Sequence, residues 1–186
     1  MRRIAVLLLG LVLLGGCAGV ELAPQPTSKV EFSGIWLIDF SGSDSVPDLR
    51  HRTGGKTSRR RVRGAVNREA LKLFNGSGLA FVVHDFQVLK ADKLDIEQGR
   101  DSMGVQYSPG VYRDISWGER QRGLWEVQAG WQENDLLVIS QAKDLRVVEQ
   151  FSRPSENRLI VTVNITADDE DMVFVRRFYR QPSLKK

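Results

Sequence analysis

The side chains able to carry out acid–base or nucleophilic chemistry are few in this chain. Histidine occurs only as His51 and His84, and the single cysteine is Cys17. His84 is followed by Asp85 in a segment predicted to be a strand, where neighbouring side chains point to opposite faces and cannot act as a pair. Ser77 lies between two glycines but lacks the G-x-S-x-G spacing of a nucleophile elbow. The sequence therefore predicts a protein that is not an enzyme.

Four consecutive acidic residues, Asp168, Asp169, Glu170 and Asp171, could attract a hard cation such as calcium. Calcium usually takes about six to eight arranged oxygens, and no EF-hand spacing is present. A zinc site would need about three or four nitrogen and sulfur ligands, which this chain does not supply. We expect a solvated turn here, and we expect the protein to use no metal and no cofactor.

A basic arm, defined as Leu49 to Arg63, carries seven basic residues and no acidic one. From residue 17 onward, the rest of the chain has 18 basic and 23 acidic residues, so a mildly acidic body carries one basic arm. A solvated loop is the favoured interpretation. The alternative is contact with anionic lipid or lipopolysaccharide, since clustered cations near a charged surface contribute roughly 1 kcal/mol each. The residues that would make this contact are Arg59, Arg60, Arg61 and Arg63. We expect no nucleic acid, because no binding motif accompanies the charge.

Aromatic side chains are concentrated in the middle third of the chain. They are Trp117, Trp125, Trp131, Tyr107 and Tyr112. They could line an apolar cavity, which is the usual content of a small-molecule site. They could equally fill the core of a small barrel, and core filling is favoured because tryptophan on an alternating strand is readily buried.

The first 17 residues have the features of an export signal. Arg2 and Arg3 precede an apolar run from Ile4 to Leu14, and Leu14-Gly15-Gly16-Cys17 follows. This segment resembles the lipobox of bacterial lipoproteins. The resemblance implies diacylation of the Cys17 thiol, cleavage before it and acylation of the new amine. An uncut anchor is the alternative, but spanning a bilayer needs about 20 apolar residues.

Residue 18 is alanine rather than aspartate. By resemblance to the lipoprotein sorting rule, this implies delivery to the outer membrane of a Gram-negative bacterium, with the domain facing the periplasm. We expect a signal peptide at 1–16, an acylated cysteine and flexible tether at 17–31, and one domain at 32–182 that includes the basic arm. A mature chain of this length can bury a core without disulfides.

From Phe32 onward the chain is predicted to be mostly β-structure. In Leu124 to Trp131, for example, Trp125 and Val127 share one face while Glu126 and Gln128 take the other, which is the period of a half-buried strand. The predicted strands are 34–40, 79–89, 93–98, 103–107, 111–117, 124–131, 136–140, 145–151, 159–166 and 172–180. The spacing of Val66, Ala70, Leu73 and Phe74 predicts one helix over 64–74.

Strands recurring every 10 to 14 residues with short turns indicate an antiparallel meander. The predicted fold is all-β: a lipocalin-like, antiparallel, up-and-down β-barrel of about eight to ten strands with one short helix. Closure into a barrel removes exposed strand edges. A sandwich is the alternative, but Greek-key sandwiches usually need longer crossovers than the second half contains.

Two resemblances accompany this fold. Gly34-Ile35-Trp36 looks like the lipocalin G-x-W signature, in which the tryptophan closes the barrel floor and a late arginine packs on it; Arg176, Arg177 and Arg180 are available for that role. The chain also resembles an uncharacterised family of proteobacterial outer-membrane lipoproteins with lipocalin-like barrels. The segments that carry this second resemblance are Trp36-Leu37-Ile38-Asp39, Ser43-Asp44, Trp131 with Leu137-Val138-Ile139, and Arg176 to Arg180. It implies a fold and a location but no activity.

These observations predict an outer-membrane lipoprotein that binds a small apolar or amphipathic envelope molecule without catalysis. The alternative is a structural or assembly partner of other cell-envelope proteins, with a packed barrel. An open cavity would favour the first hypothesis and a filled barrel the second.

Overall fold

The computed structural model describes residues 21–46, 77–167 and 170–182. Several predicted features lie outside these residues. They are the signal segment with Cys17, the basic arm with Arg59, Arg60, Arg61 and Arg63, His51, the helix predicted over 64–74, and Asp168 and Asp169 of the acidic run.

The described chain folds into ten β-strands and one short α-helix, as predicted for the fold class. The strands are β1 (Gly34–Ile38), β2 (Lys93–Gln98), β3 (Ser102–Ser108), β4 (Tyr112–Ser116), β5 (Gly118–Arg122), β6 (Trp125–Gln132), β7 (Asp135–Ala142), β8 (Leu145–Ser155), β9 (Arg158–Ala167) and β10 (Glu170–Arg180). Helix α1 (Ser77–Asp85) and a 3-10 helix (Gln87–Leu89) lie between β1 and β2.

All ten strands form one antiparallel sheet in the order β4-β3-β2-β1-β10-β9-β8-β7-β6-β5. The first strand pairs with the last, with Trp36 opposite Arg180 and Ile38 opposite Phe178. This pairing rolls the meander into a nearly closed barrel, and β4 and β5 are left at the two ends of the sheet.

The barrel has two distinct ends, because strands alternate in direction. The helix end carries α1 and the turns at 109–111, 123–124 and 143–144; the floor end carries the turns at 99–101, 133–134 and 156–157. Side chains alternate between the inside and the outside of the wall along each strand. On β6, Trp125, Val127, Ala129 and Trp131 are all buried on the inner face.

Aromatic packing closes the floor end. The rings of Phe32 and Trp131 stack with centroids 5.7 Å apart, and Phe151 meets Phe32 edge-on at 6.4 Å. Trp36 is fully buried and its Nε1 donates a hydrogen bond of 2.8 Å to the carbonyl of Phe32. These contacts bury the inner face of the barrel at this end.

Of the three arginines available to pack on Trp36, Arg180 does so. Its guanidinium lies 5.3 Å from the centre of the Trp36 ring and donates to the carbonyl of Ser33. Gly34 has φ +132°, and a Cβ there would lie 3.1 Å from Nη2 of Arg180. The glycine of the G-x-W motif is therefore favoured by its backbone conformation, and a larger residue there would also require the Arg180 side chain to shift slightly.

Arg176 has a different role. It is buried on the inner face of β10 and donates to the carbonyls of Asp44 at 2.9 Å and Ala91 at 3.2 Å. It thereby joins the chain just after β1 to the chain just before β2. Burial lowers the pKa of Arg176, with Asp92 and Asp44 opposing this effect.

The strand predicted over 79–89 is wrong. Residues 77–85 are helical and 87–89 form a 3-10 turn, with Val82, Phe86 and Leu89 buried at intervals of four and three residues. A run rich in phenylalanine and valine has strand propensity, but packing of this face over the barrel end overrides it. Among the described residues, no helix is long and apolar enough to cross a membrane.

Residues 21–31, predicted to be part of a flexible tether, instead lie against the barrel. Ala23 and Trp131 exchange two backbone hydrogen bonds of 2.8 Å, and the amide of Thr27 donates to the carbonyl of Glu133 at 2.9 Å. Ser28 also donates to the side chain of Asn134. The segment pairs with β6 beyond the last residue paired with β5, and this hydrogen bonding holds it in place.

Candidate functional site

A cluster of polar side chains lies inside the barrel near the helix end. It consists of Tyr107 on β3, Arg113 on β4, Arg122 on β5, Ser140 on β7 and Glu149 on β8. Each residue occupies an inward position of its strand. Glu149, for instance, alternates with the buried residues Val147 and Phe151. We call these five residues the interior cluster.

An ion pair joins two sides of the barrel within the cluster. Nη1 of Arg113 donates to Oε2 of Glu149 at 2.5 Å, and the two side chains are 6% and 0% exposed. The Arg113 guanidinium also lies 5.7 Å from the centre of the Phe86 ring. Burial disfavours the charged form of Arg113, but the carboxylate of Glu149 outweighs this effect and raises the pKa of the arginine.

Six buried atoms of the cluster form no well-aligned hydrogen bond among the described residues, although the Tyr107 hydroxyl lies close enough to Arg113 to interact with it. They are the hydroxyl of Tyr107, Nε and Nη2 of Arg113, Nη1 of Arg122, Oγ of Ser140 and Oε1 of Glu149. Buried polar groups in proteins almost always have a partner. The cluster therefore presents guanidinium donors, two hydroxyls that can donate or accept, and one carboxylate oxygen to something else within the barrel, either ordered water or a bound molecule.

Within the cluster, Arg113 and Arg122 face the single carboxylate of Glu149, and the nearby carboxylate of Asp85 offsets part of the charge of Arg122. Burial and the repulsion of Arg113 lower the pKa of Arg122. Burial raises the pKa of Tyr107 to about 12, so its hydroxyl stays neutral at physiological pH. Both arginines keep unused N–H groups, and Tyr107 keeps a neutral hydroxyl. These donors suit a single anionic group.

Helix α1 covers the cluster through contacts with the β5–β6 hairpin. Phe81 stacks on Trp125 at 5.6 Å and Phe86 meets the same ring edge-on at 5.0 Å. Nε1 of Trp125 donates to Oδ2 of Asp85 at 2.8 Å, and Nη2 of Arg122 donates to the Asp85 carbonyl at 3.3 Å. Asp85 is therefore the main polar attachment of the helix to the wall.

The expectation that His84 and Asp85 cannot pair is wrong, because the segment is helical rather than extended. Nδ1 of His84 lies 2.9 Å from Oδ1 of Asp85, and the histidine side chain is 81% exposed. The pKa of Asp85 is lowered: its burial acts in the opposite direction, but hydrogen bonds from His84 and Trp125 outweigh it. The carboxylate is used in attaching the helix.

The structure separates the five aromatic residues predicted as candidate ligand contacts. Tyr107 and Trp125 are buried at the helix end, next to or within the interior cluster. Trp131 and Trp117 meet edge-on at the floor end, with centroids 5.8 Å apart. Tyr112 is 58% exposed on the outer wall, because it alternates with the inward residue Arg113, and it cannot line the interior.

Trp117 and Trp131 also border a surface pocket of about 500 Å³ at the floor end. The other residues around it come from 25–31 and from Gln98, Gly99 and Arg100. In the described part of the chain, no three His, Cys, Asp or Glu side chains come together in a way that could hold a metal ion.

Sequence reasoning did not single out Arg113, Arg122, Ser140 or Glu149. One signal was present: in Val147 to Phe151, a glutamate occupies the same face as two apolar residues. A charge on the buried face of an alternating strand needs a partner inside the barrel. The identity of that partner depends on which strands face one another, which this pattern does not contain.

The chain is similar to the fluorescent protein UnaG, with a TM-score of 0.47 and 16% identity over 81% of this chain and 97% of UnaG. Two single-site variants of UnaG give TM-scores of 0.45 and 0.46, identities of 16% and 17%, and coverage of 82% and 80% of this chain and 97% and 95% of theirs. No protein-family model matches the chain, and no curated protein matches it.

Proposed function

We propose that the barrel binds a small amphipathic molecule with one acidic group, held inside the wall near the helix end. The observation that supports this is the interior cluster, where two arginines and their neighbours keep six buried polar atoms without a well-formed hydrogen bond. The acidic group would lie against Arg113 and Arg122, and the apolar part against Trp125 and Phe86.

The energetic reason is the cost of leaving such groups unpaired. A buried donor or acceptor without a partner costs about 1–3 kcal/mol, and more when it is charged. A carboxylate, sulfonate or phosphate diester, each with one negative charge, would accept hydrogen bonds from both guanidinium groups. A second negative charge would be opposed by Glu149, so the cluster favours a monoanion.

The proposed location follows from the sequence pattern. We infer that the protein is anchored in the outer membrane through acylated Cys17 and faces the periplasm, where its ligand would be an envelope molecule. Incorporation of labelled palmitate into the wild-type protein but not into a Cys17→Ser variant would support this. The basic arm would add contact with anionic lipid or lipopolysaccharide, and replacing Arg59, Arg60, Arg61 and Arg63 with glutamine should then reduce cosedimentation with anionic vesicles.

The binding proposal is tested with two fluorescent probes that share one ring system. Anilinonaphthalene sulfonate carries an acidic group, and N-phenylnaphthylamine lacks it. We expect the full-length protein to bind the sulfonate at one site per chain and at least about tenfold more tightly than the neutral probe, since hydrogen bonds to charged groups are worth about 1.5–3 kcal/mol.

Matched variants locate the binding. Arg122→Met should remove most of the preference for the sulfonate, whereas Arg146→Met, which changes an exposed arginine on the outer face of β8, should leave it intact. Equal binding of both probes by wild type, or equal loss in the two variants, would contradict the proposal.

The second candidate function is that of a structural or assembly partner of envelope proteins. It is favoured by the floor half of the barrel, where Phe32, Trp36, Phe151 and Phe178 are fully buried. Failure of both probes to bind inside the barrel would support this alternative, with ordered water completing the interior cluster.

A further inference from the structure

We propose that the ligand reaches the interior between β4 and β5, and that the side chain of Arg120 closes this passage. This inference rests on the proposed function, because it concerns how a molecule arrives at the interior cluster. It assigns to Arg120 a gating role that is separate from binding of the acidic group.

The passage is the seam where the barrel wall lacks backbone pairing. Among the strands that the structure describes, every neighbouring pair is joined by a hydrogen-bonded ladder except β4 and β5, which occupy the two ends of the sheet. The two strands run in opposite directions and are connected at the floor end by Trp117 alone. We call the gap between them the seam.

Arg120 bridges the seam with its side chain. Nη1 donates to the carbonyl of Ser116 at 3.0 Å and Nη2 donates to the carbonyl of Asp114 at 3.2 Å. These two carbonyls belong to β4, whereas Arg120 lies on β5. A planar guanidinium can bond two carbonyls at once, so one side chain takes the place of part of the missing ladder. Rotation of this one side chain removes both bonds.

The seam leads directly to the interior cluster. Arg113 precedes Asp114 on β4, and Arg122 lies two residues beyond Arg120 on β5, on the same inward face. One cluster arginine therefore flanks the seam on each side, and both carry guanidinium nitrogens without partners. A molecule passing Arg120 would meet these nitrogens without displacement of helix α1.

The surroundings of the seam also suit an amphipathic molecule. Val111, Tyr112 and Leu124 are 61%, 58% and 74% exposed and lie where β4 begins and where β5 turns into β6. They place apolar surface at the mouth of the seam. The alternative route is beneath α1, but Phe81 and Asp85 of that helix, together with Phe86 just after it, attach it to the β5–β6 hairpin through two ring contacts and two hydrogen bonds.

Stopped-flow fluorescence with anilinonaphthalene sulfonate and the full-length protein tests the proposal. Two variants weaken the bridge: Arg120→Met removes it, and Arg120→Lys keeps the positive charge but loses the planar fork. We expect the association and dissociation rate constants to rise together by about tenfold in both variants, with the dissociation constant of Arg120→Lys within about twofold of wild type. Arg146→Met serves as the matched control, and circular dichroism checks that each variant is folded.

Three outcomes would overturn the gate. Unchanged rates in both Arg120 variants would show that the seam is not the passage. Faster rates in Asp85→Asn alone would place the passage beneath α1. A slower association or a faster dissociation alone in Arg120→Lys would show that Arg120 contacts the ligand rather than gating it.

A different result marks failure of the proposed function. If the wild-type protein takes up no probe, the binding proposal fails, and the gate is then examined by amide hydrogen exchange. Faster exchange confined to β4 and β5 in Arg120→Met would support opening of the seam, and unchanged exchange there would overturn it.

Discussion

The two ends of the barrel differ in what covers them and in how many of their buried polar atoms are paired. The floor end is packed with aromatic rings, and its arginines donate most of their hydrogen bonds: Arg180 lies over Trp36 and donates to Ser33. Of the buried side-chain atoms described at this end, only Nε of Arg153 lacks a partner. The helix end is covered by a separate element and encloses Arg113, Arg122 and Glu149, which keep unused hydrogen-bonding atoms. Among the described residues, buried polar atoms without partners are therefore concentrated at the helix end, while the floor end has one, on Arg153.

This difference suggests that the floor end mainly stabilises the fold and that the helix end serves ligand binding. A packed end with satisfied polar groups contributes to folding, whereas a buried ion pair contributes little to stability compared with an apolar replacement. Unsatisfied groups persist where they serve another purpose, so the helix end is the place to look for a ligand. Substitutions at the two ends should therefore have different consequences.

The largest effect is expected at the floor. Trp36→Ala should lower the free energy of unfolding by about 3–5 kcal/mol, because a fully buried ring is lost and its cavity remains. Urea unfolding followed by circular dichroism measures this. Val173→Ala, on the exposed outer face of β10, is the control and should change stability by much less. A small loss of unfolding free energy in Trp36→Ala would contradict the assignment of the floor as the stabilising end.

A comparable loss of stability, which a bound anion should partly reverse, is expected in the interior cluster. Glu149→Gln should lower the free energy of unfolding by about 3 kcal/mol, since it leaves Arg113 as an uncompensated buried cation. Anilinonaphthalene sulfonate should restore more stability to this variant than to wild type. Thermal unfolding with and without the probe tests this, and no additional stabilisation would contradict a site for anions.

Gly34→Ala should have an intermediate effect. The residue has φ +132°, and the added Cβ would lie 3.1 Å from the Arg180 guanidinium, so we expect a loss of about 1–3 kcal/mol. Because the strain is confined to the floor, probe affinity at the helix end should stay within about twofold of wild type. Urea unfolding and a probe titration on the same sample measure the stability and the affinity. A parallel loss of affinity would show that the two ends are energetically coupled.

The smallest effect concerns the outer wall, where the pKa of Asp39 is lowered to about 2 by hydrogen bonds from Ser41 and Tyr179. A carboxyl with a depressed pKa stabilises the fold above its unfolded pKa of 3.8, and this stability is lost as the pH falls through about 2. Asp39→Asn should therefore reduce the dependence of the melting temperature on pH between about 4 and 2. An unchanged pH profile would show that groups other than Asp39 cause the loss of stability in acid.

Much of the fold was accessible from the sequence because its signals are local. The period of two in 124–131 and the turns after β6, β7 and β8 predicted the meander, and Gly34-Ile35-Trp36 predicted the floor contact. β5 was missed because Gly118 to Arg122 contains no apolar side chain, and α1 was mistaken for a strand because Phe81, Val82 and Val83 have strand propensity.

The candidate site was not accessible in the same way. Arg113 and Glu149 are 36 residues apart and meet only because the sheet closes. Their pairing depends on the curvature of the whole barrel, and Arg120 becomes a bridge only because its own strand lies at the end of the sheet. Interactions of this kind depend on topology, which periodicity does not encode.

Arg176 holds together the two points at which the chain leaves and rejoins the barrel between β1 and β2, through the carbonyls of Asp44 and Ala91. Because Arg176 fixes these two points relative to each other, we expect the sheet to tolerate changes of length within 47–76, since the cost of closing a chain segment rises only slowly with its length. For protein engineering, this segment is therefore a candidate site for insertions. Replacing residues 47–76 with a short glycine-serine linker should preserve the sheet, and foreign segments could be displayed from the same base.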